Sequence, residues 1–428
     1  MNNMRLVLAI AACLSIVFAQ SAAAQTWRAD QVDDLKRAAE AAPLEGLPVP
    51  KDGLLPLLSS EHLSAVDPSF ASMLDLAAET LFIELARMYA QGGVDPSSVD
   101  QNWRIQRPPD PDFAALLARV GSGEQPSAVL ATLLPDTRDY RALRLELARL
   151  RAAPASAETA AHLEQVLANL ERWRWLPRAF PERRVEVRLA QYQLYYFDGV
   201  AAEPTLFDVI VGAPRTPSPV FAATIESVTL NPDWDPPASI VTRELLPRFR
   251  RNPARAEQEG FEVLDANGVA VAASAVDWHA RPFPYHLRQR PGPRNALGRL
   301  RFDLPNPFSV YLHDTPTQSL FLRDVRALSH GCIRVKTPTA LAASLLGAPW
   351  DEAALGDAIE QGATQTIPLP EPAPVFLLYL TSIADENGVI SYLSDINHRD
   401  GPLAASLGGP AVQAVAFAPA RNATCAPG

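Results

Sequence analysis

The hydrophobic period changes once along this chain, and the change divides it. Up to Arg174 apolar residues recur every three or four positions, and from Arg184 they alternate. Met73, Leu74, Ala77, Leu81, Leu85 and Met88 form one helical stripe, opened by Asp67-Pro68 and closed by Gly92-Gly93. Residues 143–150 and 160–175 continue the helical pattern, with a break at Ala153-Pro154. Beyond the switch, Val185, Val187 and Leu189 face one way and Glu186 and Arg188 the other, as on a half-buried strand. Residues 194–197 and 207–211 read as a hairpin, and 223–229, 300–302, 309–313, 332–335 and 375–380 as further strands. Between 240 and 299 the alternation lapses into a helical piece (242–250), a turn at Asn267-Gly268 and the loop RQRPGPRNALG, which reads as an insertion packed over or beside the sheet. A short helix is expected over 351–361. The fold class is therefore α+β, helices first and sheet second.

The 428 residues exceed the usual size of one domain, and 48% apolar against 20% charged residues excludes a disordered chain. A formal charge of −10 argues against a nucleic-acid partner, whose phosphates call for a basic surface. Arg5, the apolar run 6–19 and Ala22-Ala23-Ala24 have the form of a secretory signal peptide over 1–24. Export to the periplasm or cell envelope is expected. No later stretch is long enough for a spanning helix, so the mature chain is expected to keep no membrane span. Without the leader only Cys332 and Cys425 remain. In an oxidising compartment an idle thiol is a liability, and Cys332 is the one that needs a purpose.

Cys332 lies in SHGCIRV (329–335), downstream of YLHDTP (311–316). Alternation puts Val310, Leu312, Ile333 and Val335 on a core face. If the two strands are neighbours, Tyr311, His313, Cys332 and Arg334 gather on the other, exposed face. An imidazole beside a thiol can take its proton and hold the thiolate as an ion pair, which makes Cys332 a candidate nucleophile and His313 its base. His330, one residue removed from the cysteine along an extended chain, is the weaker base. Gly331 lets backbone approach a ligand, and its N–H and that of Cys332 can point at one oxygen. Arg334 could hold a substrate carboxylate or form a structural ion pair. A metal site made of His313, His330 and Cys332 has no Cys-x-x-Cys or His-Glu-x-x-His spacing behind it, and neither metal nor cofactor is expected.

YLHDTP followed by SHGCIRV resembles the signature of the YkuD-type L,D-transpeptidase catalytic domain. ERWRWLP (171–177), IVGAPRTPSPVF (210–221), NPDWDPPASI (231–240), RPGPRNALGRLRF (290–302) and PVFLLYLT with its ENG turn are similar to the large YcbB-like subgroup. The resemblance covers about 169–400, and the region before it looks like that subgroup's scaffold. It implies a helical scaffold domain (25–168), a mostly-β catalytic domain (169–350) with an inserted lid subdomain (240–299), and a C-terminal extension (351–428) packing on the catalytic domain. Two departures stand out. Residues 151–165 leave no room for the peptidoglycan-binding module common in the subgroup, and Thr337 stands where the wider family often has Asn.

The resemblance implies Cys332 as nucleophile, His313 as proton acceptor and donor, and an oxyanion hole from the Gly331 and Cys332 N–H groups with help from Tyr311. The implied reaction is acyl transfer between peptidoglycan stem peptides. D-alanine leaves as a thioester forms, and an amine of a second stem then resolves it into a 3→3 cross-link. A carbapenem, whose strained lactam mimics the donor, is expected to modify Cys332. Water as acceptor would make an L,D-carboxypeptidase, and a protein amine would make stem-to-protein transfer. The alternative of a different class is a catalytically silent envelope-binding protein. A papain-like protease would need its cysteine at a helix start, and IRV reads as strand.

Overall fold

The structure is a computed structural model that describes residues 26–50, 55–58, 68–200 and 203–408. The signal peptide reading and Cys425 lie outside the described residues. Among the described residues six helices of six or more residues come first: α1 (Ala29–Ala41), α2 (Pro68–Gln91), α3 (Phe113–Gly121), α4 (Pro126–Ala131), α5 (Arg138–Ala152) and α6 (Ala157–Trp175). Side chains supply the N-terminal caps that free helix N–H groups need: Asp112 accepts from Ala115, Thr137 from Tyr140 and Ser156 from Thr159. The first four helices close around Leu35, Leu81, Phe82, Leu85 and Val129. Leu143, Leu147, Val166 and Leu170 of α5 and α6 instead join the core of the sheet.

Fourteen strands follow among the described residues: β1 (Arg183–Arg188), β2 (Gln193–Asp198), β3 (Thr205–Gly212), β4 (Ala222–Leu230), β5 (Phe261–Leu264), β6 (Ala270–Val271), β7 (His286–Gln289), β8 (Leu300–Asp303), β9 (Leu312–His313), β10 (Ala327–Ser329), β11 (Ile333–Val335), β12 (Gln365–Leu378), β13 (Ser382–Ala384) and β14 (Ile390–Tyr392). The main sheet has nine strands in the order β10-β3-β11-β9-β8-β4-β12-β1-β2, and β2 pairs back to β3. Leaving β10 aside, the sheet is a closed ring, which removes the open edges an ordinary sheet must protect. β12 lies inside that ring, between β4 and β1. The segment after residue 350 thus completes the sheet, where an extension packing on it was expected. Its prolines explain why only residues 375–380 read as strand. Pro368 and Pro374 fall where β12 has β4 alone as neighbour, and a bulge separates Pro368 from Ala373.

Residues 245–287 of the insertion have their own core of Leu245, Leu246, Phe249, Phe261, Val263, Trp278 and Leu287, beside the small sheet β6-β5-β7. Its helical piece runs over 238–251 and contains a π-helical turn at Val241–Leu245, just before Pro247. Among the described residues no helix is long and apolar enough to cross a membrane.

The second half of α6 is buried on every side, charged residues included. Arg174 meets Glu171 at 3.0 Å and the Tyr140 hydroxyl at 3.1 Å; Arg172 meets Asp400 at 2.5 Å, and Asn169 binds Thr381 through 2.7 and 2.9 Å hydrogen bonds. Gly92, in left-handed backbone (φ +88°) at the end of α2, leaves room for Glu171, because a Cβ there would come within 2.4 Å of its carboxylate. The ERWRW run is therefore the joint between the helices, the sheet and the C-terminal helix Asp400–Ser406.

Candidate active site

β9 and β11 are parallel neighbours, with Ile333 opposite Leu312 and Arg334 opposite His313. This register places Cys332 opposite Tyr311. The core side is filled by Val310, Leu312, Ile333 and Val335, and Tyr311, His313, Cys332 and Arg334 share the other face. Exposure on that face is uneven: His313, expected to be exposed, is only 4% exposed, while Tyr311, Cys332 and Arg334 are half-buried. The cover comes from the chain returning from the insertion. Asn295, itself buried, donates to the carbonyls of Pro232 (2.9 Å) and Arg290 (3.0 Å) and accepts from the Leu297 N–H (2.8 Å). Gly298 has φ +66°, and a Cβ there would lie 2.3 Å from Asp314 Oδ2. Only glycine lets this loop settle against Asp314, whose carboxylate accepts the Arg299 N–H at 2.8 Å.

His313 Nδ1 lies 2.5 Å from the Asp314 carbonyl, to which it donates its proton, and the Leu297 carbonyl also faces the ring. Burial, reinforced by the positive charge of Arg334, lowers the His313 pKa to about 3. Burial likewise pushes the Cys332 thiol above its ordinary range, opposed by the Tyr311 N–H and by Arg334. The resting pair is thus a neutral thiol and a neutral imidazole. Burial penalises both charged forms and so works against the expected thiolate–imidazolium pair. Among the described residues no hydrogen bond joins Cys332 to His313; the sulfur instead donates to the Ser309 carbonyl at 3.7 Å. Ser309 is no strand residue, as the alternation had it. Asn306 closes a turn by accepting from Phe308 (3.0 Å) and Val310 (3.2 Å), and Ser309 takes a left-handed φ of +54°.

The oxyanion donors also differ from expectation. Gly331 has φ +112°, a conformation reserved for glycine, but its N–H is occupied by Ser329 Oγ at 3.0 Å. The Cys332 N–H, with no hydrogen-bond partner among the described residues, is the remaining donor. His330 is exposed and engaged with Glu244 of the insertion at 2.7 Å, away from the role of base. Arg334 is partly buried, and its guanidinium has no acidic partner among the described residues; burial lowers its pKa. Cys332 carries a free thiol. Trp278 is core of the insertion, its Nε1 donating to the Ala273 carbonyl at 2.9 Å. Asp314, Leu297, Ser309 and Ser329 act through backbone atoms or a small hydroxyl, so side-chain chemistry did not point to them. The Asn-Ala-Leu-Gly turn was the one available signal.

Residues 182–351 match the YkuD family, the L,D-transpeptidase catalytic domain, and residues 17–147 match the scaffold domain family. A Haemophilus influenzae protein named "Putative L,D-transpeptidase" is 36% identical over 252 residues, 58% of this chain and 50% of that protein. The chain thus spans about half the length of the curated relative it matches. Two solved structures, the Ldtfm–avibactam carbamoyl enzyme and L,D-transpeptidase 3 from Mycobacterium tuberculosis, align at 14% identity over 46% of this chain and 49% and 61% of theirs. Both have a TM-score of 0.23, too loose a likeness to decide anything about the site. A YkuD-type L,D-transpeptidase catalytic domain following a scaffold domain gives this chain the YcbB-like architecture.

Proposed function

We propose that this protein is an exported peptidoglycan L,D-transpeptidase that forms 3→3 cross-links through a thioester on Cys332. The observation that carries the reading is the shared face: one free thiol, one imidazole and one unpartnered guanidinium on paired strands. Cys332 attacks the carbonyl between the third residue of a donor stem and its terminal D-alanine, and its proton passes to His313. With Nδ1 held by the Asp314 carbonyl, Nε2 is the basic nitrogen. The same proton then goes to the leaving amine, and D-alanine departs. An amine of a second stem attacks the thioester, restoring the thiol.

Since both groups rest neutral, proton transfer is expected only once substrate fills the site and the developing oxyanion meets the Cys332 N–H, with the Tyr311 hydroxyl beside it. Arg334 supplies a half-buried positive charge for a substrate carboxylate. The Glu244–His330 contact joins the insertion to the loop of the nucleophile and supports its reading as a lid, which would exclude water so that an amine can compete.

Disaccharide-tetrapeptide fragments incubated with the protein and analysed by mass spectrometry test this. Dimers lacking one D-alanine are expected, and none with Cys332→Ala. Free tripeptide without dimers would point to the carboxypeptidase reading, and no reaction with either protein would reject the chemistry.

A further inference from the structure

Ser218, in the loop after β3, is 3% exposed and hydrogen-bonds on both sides. Its hydroxyl accepts from the Gly212 N–H at 3.0 Å and donates to the Gly331 carbonyl at 2.7 Å. Gly212 makes this possible, because a Cβ there would lie 2.4 Å from both Ser218 N and the Thr216 carbonyl. Next to it, Thr216 Oγ1 donates to the Ser329 carbonyl at 3.0 Å, and Ser329 Oγ donates to the Cys332 carbonyl at 2.6 Å. The carbonyls of Ser329, Gly331 and Cys332 are thus all held. A peptide unit is planar, with its C=O and N–H opposed, so fixing the Gly331 carbonyl fixes the direction of the Cys332 N–H.

The grip continues outward to the N-terminal region. The Ser218 carbonyl accepts from Arg399 at 3.4 Å, and Arg399 meets Asp100 at 3.4 Å, both side chains being buried. Two residues on, Val220 donates to the Asn102 carbonyl (2.8 Å) and accepts from the Arg104 N–H (2.6 Å). Asp100, Asn102 and Arg104 fall within the span that matches the scaffold domain.

We propose that Ser218 is a positioning residue that orients the Gly331–Cys332 peptide, and that the scaffold segment 100–104 holds it in place through Asp100, Arg399 and the pairing with Val220. The proposal rests on Cys332 being the nucleophile. It gives the scaffold a part in the chemistry: it sets the one N–H left to receive the oxyanion.

Three variants of the full chain test this: Ser218→Ala, Ser218→Thr and Asp100→Asn. The readouts are amide hydrogen exchange at Gly331, kcat and KM for stem-peptide transfer, and Tm. For Ser218→Ala, Gly331 exchange at least about tenfold faster is expected, with the amides of α6 unchanged. We expect kcat to fall about 10- to 100-fold with KM within about threefold. Ser218→Thr, which keeps the hydroxyl, recovers both. Asp100→Asn moves them the same way by about three- to tenfold, and it carries the test if Ser218→Ala does not fold. Unchanged Gly331 exchange in Ser218→Ala, or exchange that rises equally in α6 as Tm falls, overturns the proposal. If the exchange pattern appears while the wild type transfers nothing, the transpeptidase reading fails and the positioning role stands.

Discussion

Two regions of this molecule bury arginine, and they treat it differently. In the α6 joint every buried cation has an acid: Arg172 with Asp400, Arg174 with Glu171, Arg399 with Asp100. At the site, Arg334 lies partly buried beside a cysteine and a histidine and has no acid among the described residues. A buried charge is costly unless paired, so the first arrangement is stable as it stands and the second is incomplete. The difference separates structure from function: the joint supplies its own anions, and the site leaves that place to a ligand.

The sharpest way to break the comparison is to remove one partner in the joint. Arg174→Ala strands the fully buried Glu171 and is expected to cost about 3–5 kcal/mol, read by urea unfolding. Arg334→Gln should do the opposite, leaving stability within about 1 kcal/mol or raising it. It should also raise KM for carboxylate-bearing stem peptides about 10- to 100-fold, the loss of one charged hydrogen bond. Equal destabilisation by the two variants would erase the distinction.

The neutral resting pair gives a pH test. Because His313 stays neutral down to about pH 3 and the Cys332 thiol is raised, alkylation of the free enzyme by iodoacetamide should climb with pH to a midpoint above the ordinary thiol value of about 8.5, with no step near 6.5. A plateau reaching down to pH 5 would indicate a resting thiolate. The smallest effect belongs to the half-exposed Glu244–His330 contact. Glu244→Gln should shift stability by no more than about 1 kcal/mol, and a larger change would make the insertion a structural part of the site.

Local pattern was enough for much of this. The start and stop signals around α2 coincide with its ends at Pro68 and Gln91, and alternation put Tyr311, His313, Cys332 and Arg334 on one face. What lay beyond reach depended on distant partners. Nothing near His313 reveals that the loop carrying Leu297 and Gly298 returns to cover it, and so the pair was expected exposed and charged. Gly331 invited an oxyanion role that Ser329 Oγ pre-empts, a contact set by the turn itself. Nothing in the ERWRW run itself reveals that Glu171 and Arg174 satisfy each other in the interior. In β12, prolines concealed strand residues whose ladder has one side only.

The central claim is that the acyl group passes through the sulfur of Cys332. Acid-quenched single-turnover samples with a tetrapeptide donor, followed by intact-protein mass spectrometry and peptide mapping, address it directly. The account predicts a transient mass gain equal to the donor less D-alanine, located on Cys332 and discharged when an amine acceptor is added. Product formation without any such adduct, or an adduct of the same mass on Cys332→Ala, would contradict it.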